Sequence, residues 1–371
     1  MAKNNPEKIR KEPLVHITAR RDTTFWQGVL VRAVAILMAL VVDALFIMLV
    51  TKLNPLKVYA VMFEGTFGNK LRFINCVRDL VTLLCVGIAL APAFKMRFWN
   101  IGAEGQVIMG GLATALCMIY LGDKLPPLLL FLAMLIASVV AGAIWGLIPA
   151  VFKARWNTNE TLFTLMMNYI AIDIVAYCTN IWRGTSSSMG QLNMATKAGW
   201  FPIILGQRYT INIIVILALT VLMYVYLRYS KQGYEISVVG ESERTAKYAG
   251  ISVSKVILRT MAISGAVCGI CGFLTVAGKD QSISVDTAGG NGFTAIIVAW
   301  LAKFNTFIMI AIAFLLIFLE KGAHQIQSSF PNLNDYAADI ITGIILFFIL
   351  GSEFFLRYQL IFRGKKTEAD K

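Results

Sequence analysis

Residues 231–255, KQGYEISVVGESERTAKYAGISVSK, form a polar break between two strongly apolar segments, 209–229 and 256–277. The break is patterned rather than featureless. Glycines stand at Gly233, Gly240 and Gly250, and residues 241–249, between the last two, suit a helix. Only the loops near 51–72 and 183–208 rival it among the polar interruptions. The segments on either side decide the class, because each approaches the ~20 apolar residues that a helix needs to cross about 30 Å of hydrocarbon.

Seven more stretches do the same: 28–50, 73–94, 101–121, 127–152, 161–182, 306–320 and 336–356. One further apolar piece, 292–302, has 11 residues and at 1.5 Å per residue reaches about half the bilayer. The fold class is therefore all-α membrane protein, with about ten transmembrane or partly spanning helices, some of them discontinuous. Composition agrees: 57% of residues are hydrophobic and 15% charged, against roughly 25% charged in soluble domains.

The net charge of +13 is explained by where the basic residues fall. They lie between apolar spans, which argues for membrane topology and against nucleic-acid binding. With ten elements and the N-terminus inside, the cytoplasmic segments hold 22 Lys and Arg and the opposite side holds 10. Cytoplasmic loops are enriched in these residues, so both termini and the 231–255 loop are expected in the cytoplasm. The chain then divides into a basic cytoplasmic segment 1–24, at the membrane surface or disordered, a polytopic domain 25–358, and a cytoplasmic tail 359–371. The N-terminal apolar stretch is too long for the core of a cleavable signal.

Six cysteines lie in or beside apolar segments, so no disulfide framework is expected, and the Cys268–Cys271 pair has no partners to complete a zinc site. Small residues recur every fourth position at Ser138, Gly142, Gly146 and Ala150, and again at Gly265 and Gly269. That spacing lets helix backbones approach closely in lipid.

Ionisable residues inside spans are costly and mark candidate sites. Arg32 lies near a span end and can snorkel, Asp43 sits deeper, and Arg78 and Asp79, being adjacent, are expected to point in different directions. Asp173 follows Asn168 and Tyr169 by about a turn, which predicts a polar stripe facing the bundle interior. Two glycine-rich runs stand out. NIGAEGQ, residues 100–106, sets Asn100, Glu104 and Gln106 at a helix start. TAGGNGFTAIIVAWLA, residues 287–302, leads through Asn291 and Phe293 into the half-length helix, whose unpaired N–H groups would offer a place for polar substrate groups. No GxxxxGK[ST], HExxH or GxSxG run occurs, so neither a P-loop nor common hydrolase chemistry is expected in this chain.

Three runs resemble the permease subunits of ABC importers of the branched-chain amino acid and ribose type, nearest the nucleoside-importing branch linked to basic membrane lipoproteins. They are RFWNIGAEGQ at 97–106, GYEISVVGESERTAKYAGISVSK at 233–255 and GGNGFTAIIVAWLAKFNTF at 289–307, and the similarity spans roughly 71–350. One departure is Asn305-Thr306, where the family usually has Asn-Pro. The resemblance implies a non-enzymatic permease in the plasma membrane, with no cofactor of its own. ATP and Mg would be bound by a cytoplasmic ATPase. A second, identical or different permease subunit and an extracytoplasmic binding lipoprotein would complete the importer.

It further implies a short coupling helix bracketed by Gly240 and Gly250, with Glu241 and Arg244 meeting a polar groove of the ATPase and Ala246, Tyr248 and Ala249 packing on it. Asn100, Glu104, Gln106, Asn168, Asp173, Asn291 and Phe293 are the expected substrate-pathway residues. Nucleosides are the expected cargo. A sugar or branched-chain amino acid is the alternative, and an ion-coupled transporter using Asp43, Asp79 and Asp173 is a more distant one.

Overall fold

In the computed structural model the described residues are 15–19, 25–184, 186, 189–204, 206–330 and 335–362. Among them nine helices are long and apolar enough to cross a membrane, one for each stretch expected from the sequence, and the 11-residue apolar helix appears at Asn291–Leu301. In chain order the elements are β1 (Val15–Ala19), α1 (Phe25–Phe46) with a π-helical turn to Thr51, α2 (Pro55–Phe67), α3 (Lys70–Lys95), α4 (Ala103–Leu121), α5 (Pro127–Trp156), α6 (Glu160–Arg183) and α7 (Thr210–Tyr229). Then come α8 (Lys231–Glu241), α9 (Glu243–Tyr248), α10 (Val253–Leu274) with a π-helical turn to Asp280, α11 (Asn291–Leu301), α12 (Thr306–Ser329), α13 (Asp335–Arg357) and β2 (Tyr358–Phe362).

The chain divides into two compact units. The larger runs from Thr66 to Phe318 and has α10 at its centre, packed against α3, α4 and α5. Its tightest seam follows the small residues. A Cβ on Gly142 would run into the Gly265 carbonyl, one on Gly269 into the Ser138 carbonyl, and one on Gly110 into Gly269. Glycine on both sides brings backbones to van der Waals contact, so dispersion holds the helices where lipid gives no hydrophobic drive. The predicted four-residue repeat is thus a real interface, and Ser138, Gly142, Gly146 and Ala150 are all buried. No disulfide joins the cysteines among the described residues.

The smaller unit holds residues 1–65 and 319–371. In it α1 packs on α13, and β1 pairs antiparallel with β2 in the register Val15↔Phe362 to Ala19↔Tyr358. Residues 15–19 of the basic N-terminal segment are therefore ordered as a strand paired with 358–362. Arg32 does not simply snorkel, because its guanidinium pairs with Glu353 of α13 at 2.6 Å. The loop expected near 51–72 contains α2. Pro55 starts it, Asn54 Oδ1 accepts the Leu56 N–H at 2.9 Å, and Val58 and Met62 bury one face. The Asn54-Pro55 start and the spacing of Val58 and Met62 are the signals that reveal it.

Candidate functional site

The run NIGAEGQ builds a buried polar hub at the start of α4. Asn100, Glu104 and Gln106 are 0%, 7% and 1% exposed, so these side chains serve the fold of this subunit directly. Asn100 Oδ1 accepts the Gly102 N–H at 3.0 Å and the Gln106 side-chain amide at 3.3 Å, and its own amide reaches Ser264 of α10 at 3.5 Å. From α6, Thr164 Oγ1 accepts the Ile101 N–H at 3.1 Å. Asn168 accepts the Gly105 N–H at 2.9 Å and donates to the Ile101 carbonyl at 2.9 Å. Helix α6 therefore caps the first turn of α4 with side chains, satisfying backbone groups that the membrane could not. The fit at Gly105 is close: a Cβ there would sit 3.0 Å from Asn168 Oδ1 and 3.1 Å from Trp145 Nε1.

Glu104 joins this hub to the half-length helix. Its Oε1 accepts the Gly290 N–H at 2.8 Å and its Oε2 accepts the Gly292 N–H at 2.7 Å, so one carboxylate caps the N-terminus of α11. A negative charge there complements the helix dipole. The sequence reading gave those N–H groups to substrate; the structure gives two of them to Glu104. Each glycine of the GGNG run has a task. Gly289 and Gly290 take φ of +62° and +74°, which only glycine adopts freely, and a Cβ on Gly292 would strike the Glu104 backbone at 2.5 Å. Asn291 donates to the Ala288 carbonyl at 2.7 Å, while Phe293 is 46% exposed. Beyond α11, Asn305 Oδ1 accepts the Phe307 N–H at 3.1 Å and starts α12, so the break persists without the family's proline.

Asp173 does not join Asn168. The two lie five residues apart, about 140° around a helix at 3.6 residues per turn, and Asp173 is exposed together with Tyr169 and Tyr177. The polar stripe exists, but it faces out of this subunit. Close by, Tyr177, Asn180, Arg183, Ser284 and Asp286 line a cavity of about 780 Å³. Arg78 and Asp79 also differ from expectation. Arg78 Nε lies 3.4 Å from Asp79 Oδ1, and Lys279 Nζ binds the same oxygen at 3.0 Å, so the long arginine side chain bends back to its neighbour. Asp43 is fully buried, and neither carboxyl oxygen has a hydrogen-bond partner among the described residues.

The polar break at 231–255 is a jointed element of two helices, α8 and, between Gly240 and Gly250, the short α9. Ser230 Oγ caps α8 by accepting the Gly233 N–H at 2.9 Å. The chain breaks at Ser242 (φ −160°), whose Oγ caps α9 at the Thr245 N–H. Helix α9 ends in a Schellman motif: the Gly250 N–H reaches the Lys247 carbonyl at 3.1 Å and the Ile251 N–H reaches the Ala246 carbonyl at 2.9 Å, with Gly250 at φ +76°. Gly240 lies in the last turn of α8, where a Cβ would strike the Lys95 carbonyl at the end of α3. Ala246 is fully buried, so it packs within this chain and not on an outside groove. Glu241, Arg244, Ala249 and Gly250 are exposed, and Tyr248 is 93% exposed. Glu235 on α8 pairs with Arg259 on α10 at 2.8 Å, tying the element to the centre of the larger unit.

A bundle of membrane-length helices with one discontinuous helix, an internal glycine seam and an exposed jointed loop is the architecture of a polytopic membrane permease. Residues 72–350 match the family model described as branched-chain amino acid transport system / permease component, and the chain belongs to that family of ABC permeases. It is 32% identical to a guanosine ABC transporter permease of Bacillus subtilis, over 87% of this chain and 93% of that one. It is 27% identical to a nucleoside ABC transporter permease of Lactococcus lactis, over 86% and 90% of the two chains. A glucose ABC transporter permease of Haloferax volcanii is also 27% identical, over 96% and 97%. The chain is accordingly an integral inner-membrane permease subunit, not itself an enzyme, of the kind that works with ATPase and substrate-binding partners.

Proposed function

We propose that this permease carries nucleosides inward along a face it shares with a second permease subunit, identical or different. The observation that carries this reading is the outward stripe of α6. Tyr169, Asp173 and Tyr177 recur every fourth residue on one exposed face, and an aspartate held against lipid tails is costly. A partner subunit that encloses water along this face removes that cost. Aromatic rings beside an acidic side chain suit a ribose with a base: rings stack on the base and carboxylate accepts from hydroxyls. The cavity lined by Tyr177, Asn180, Arg183 and Asp286 would be its outer mouth, where an extracytoplasmic binding lipoprotein releases its cargo.

Both chain ends are assigned to the cytoplasm. The β1–β2 pairing supports 15–19 and 358–362 lying on one side of the membrane, and the Lys and Arg count of 22 against 10 supports that side being the cytoplasm. Helix α9 then faces the cytoplasm as the element gripped by the ATPase, which binds ATP and Mg and tilts the bundle between inward-open and outward-open states. Five residues remain available for that contact: Glu241, Arg244, Tyr248, Ala249 and Gly250. Relatives that carry guanosine and nucleosides support the cargo, and the glucose relative supports sugar as the second reading.

Reconstitution of the chain with its partner subunits in vesicles, followed by ATP-dependent uptake of labelled guanosine, uridine, ribose, glucose and leucine, tests the proposal. Nucleoside uptake that competes only with other nucleosides is the expected result. Uptake of glucose or leucine in its place overturns the cargo, and uptake driven by an ion gradient without ATP overturns the mechanism.

A further inference from the structure

The turn between α5 and α6 lies against the junction of α9 and α10, where the Ser254 hydroxyl donates to the Ala154 carbonyl at 3.4 Å. This contact puts the turn on the same side of the membrane as α9, independently of any charge count. Two contacts hold the turn in shape. Lys153 Nζ pairs with Glu160 at 2.9 Å, and Asn159 Oδ1 accepts the Leu162 N–H at 3.1 Å at the start of α6. Trp156, the last residue of α5, is 61% exposed. Its ring lies 5.2 Å from that of Phe152, which in turn packs on Phe163 at 4.8 Å, so the indole is steered outward by its neighbours. Arg155 beside it is exposed as well.

This end of α5 projects past the lipid. The helix has 30 residues, about 45 Å at 1.5 Å per residue, against roughly 30 Å of hydrocarbon. Its apolar run ends at Phe152 and Lys153 follows, so Trp156 stands about a turn beyond the first charged residue, beside Asn157. The partner is indicated by size. The five exposed residues that α9 and its flanks offer fall far short of the 20–30 a side, about 800 Å², of a stable protein–protein interface. The ATPase must therefore rest on further cytoplasmic surface. From α9, the exposed residues Ser252, Ser254 and Lys255 lead directly to Arg155 and Trp156. Trp, Tyr and Arg carry most of the binding energy at interfaces, and this continuous patch presents all three, with Tyr248 and Arg244 at its other end.

We propose that the α5–α6 turn is a second docking point for the ATPase subunit, with Trp156 seated in an apolar recess of that partner and Arg155 facing its carboxylates. The proposal rests on the reading of α9 as the element that the ATPase grips, and it extends that contact to a second helix. The consequence is mechanical. A Cβ on Gly142 would strike the Gly265 carbonyl and one on Gly269 the Ser138 carbonyl, so α5 and α10 are in backbone contact along their lengths. A partner that holds the cytoplasmic ends of both moves them as one body, instead of bending α9 at its joint.

Photo-crosslinking in the assembled transporter tests this, with benzoylphenylalanine incorporated in place of Trp156 in one preparation and of Tyr248 in another, and the adducts identified by mass spectrometry. The expected result is an adduct with the ATPase polypeptide from both positions. An ATPase adduct from position 248, with only lipid or permease adducts from position 156, overturns the second docking point and leaves the reading of α9 standing. Adducts with the ATPase from position 156 alone keep the turn as a contact and remove the grip from α9. No ATPase adduct from either position overturns both. As a second measurement, Trp156→Ala should lower ATPase co-purification about fivefold at an unchanged melting temperature, and Trp156→Phe should restore part of it. Co-purification equal to the parent in Trp156→Ala also overturns the proposal.

Discussion

The run NIGAEGQ at 100–106 and the polar break at 231–255 end in opposite environments. The first is buried, and its polar atoms are satisfied by α6, α10 and α11. The second presents Arg244 and Tyr248 to the outside while burying Gly240 and Ala246. Both runs use glycine for close backbone approach, but only one leaves polar groups free to meet a partner. The contrast teaches that a polar motif at the start of a membrane helix is first of all a solution to backbone satisfaction. A polar motif on a capped, exposed turn has no such internal task.

The sharpest way to break the comparison is at Glu104. Glu104→Ala leaves the Gly290 and Gly292 N–H groups without their acceptor in a buried site, at about 1–3 kcal/mol for each unsatisfied group. Thermal unfolding in detergent should show the largest loss of stability of any single hub substitution, with uptake abolished. An unchanged melting temperature would remove the structural role argued for this carboxylate.

Gly142→Ala comes next. Its Cβ meets the Gly265 carbonyl, so α5 and α10 must separate, and overpacking of this kind costs about 1–3 kcal/mol. The same substitution at Gly250 is also strained, because of φ +76°, but its site is open, so it should perturb the end of α9 alone. Limited proteolysis of the two variants separates a loosened bundle from a frayed loop.

Arg244→Glu should leave the unfolding free energy within about 0.5 kcal/mol of the parent, as expected for an exposed position. ATPase co-purification and ATP-dependent uptake should fall by roughly tenfold, the effect of about 1.4 kcal/mol of lost contact. If association and uptake survive, α9 is not the gripped element. Tyr248→Ala extends the test to the most exposed ring of the loop and should have a smaller, several-fold effect on the same readouts.

Asp173→Asn is expected to have the smallest effect on stability and a measurable one on transport, since the residue lies on the outward stripe. A lower uptake rate with unchanged ATPase association supports a water-lined face. A gain in stability with unchanged uptake would show that the stripe meets lipid.

Much of the fold is legible in the sequence because hydrocarbon imposes a simple rule. Twenty apolar residues in a row must become a helix, since no other single segment satisfies its own backbone. That rule yields the nine long helices, and the four-residue repeat of small residues yields the α5–α10 seam. The rule is silent about amphipathic pieces outside the core, which is why α2 is missed despite Asn54-Pro55 at its start. Periodicity also misleads at short range: a turn seems to unite Asn168, Tyr169 and Asp173, yet five residues carry Asp173 to another face.

The sequence by itself determined the class, the membrane segments and the two glycine-rich runs, because these follow from local composition and, at Gly289 and Gly290, from glycine's freedom at positive φ. Only the tertiary structure decided what those runs bind. The Glu104 carboxylate and the Gly290 and Gly292 amides are about 186 residues apart along the chain, and no local rule relates groups at that separation. The packing of α10 against α4 and α5, and of α11 against α3 and α4, brings them within hydrogen-bond reach. In a medium without water, groups that meet in this way become each other's partners.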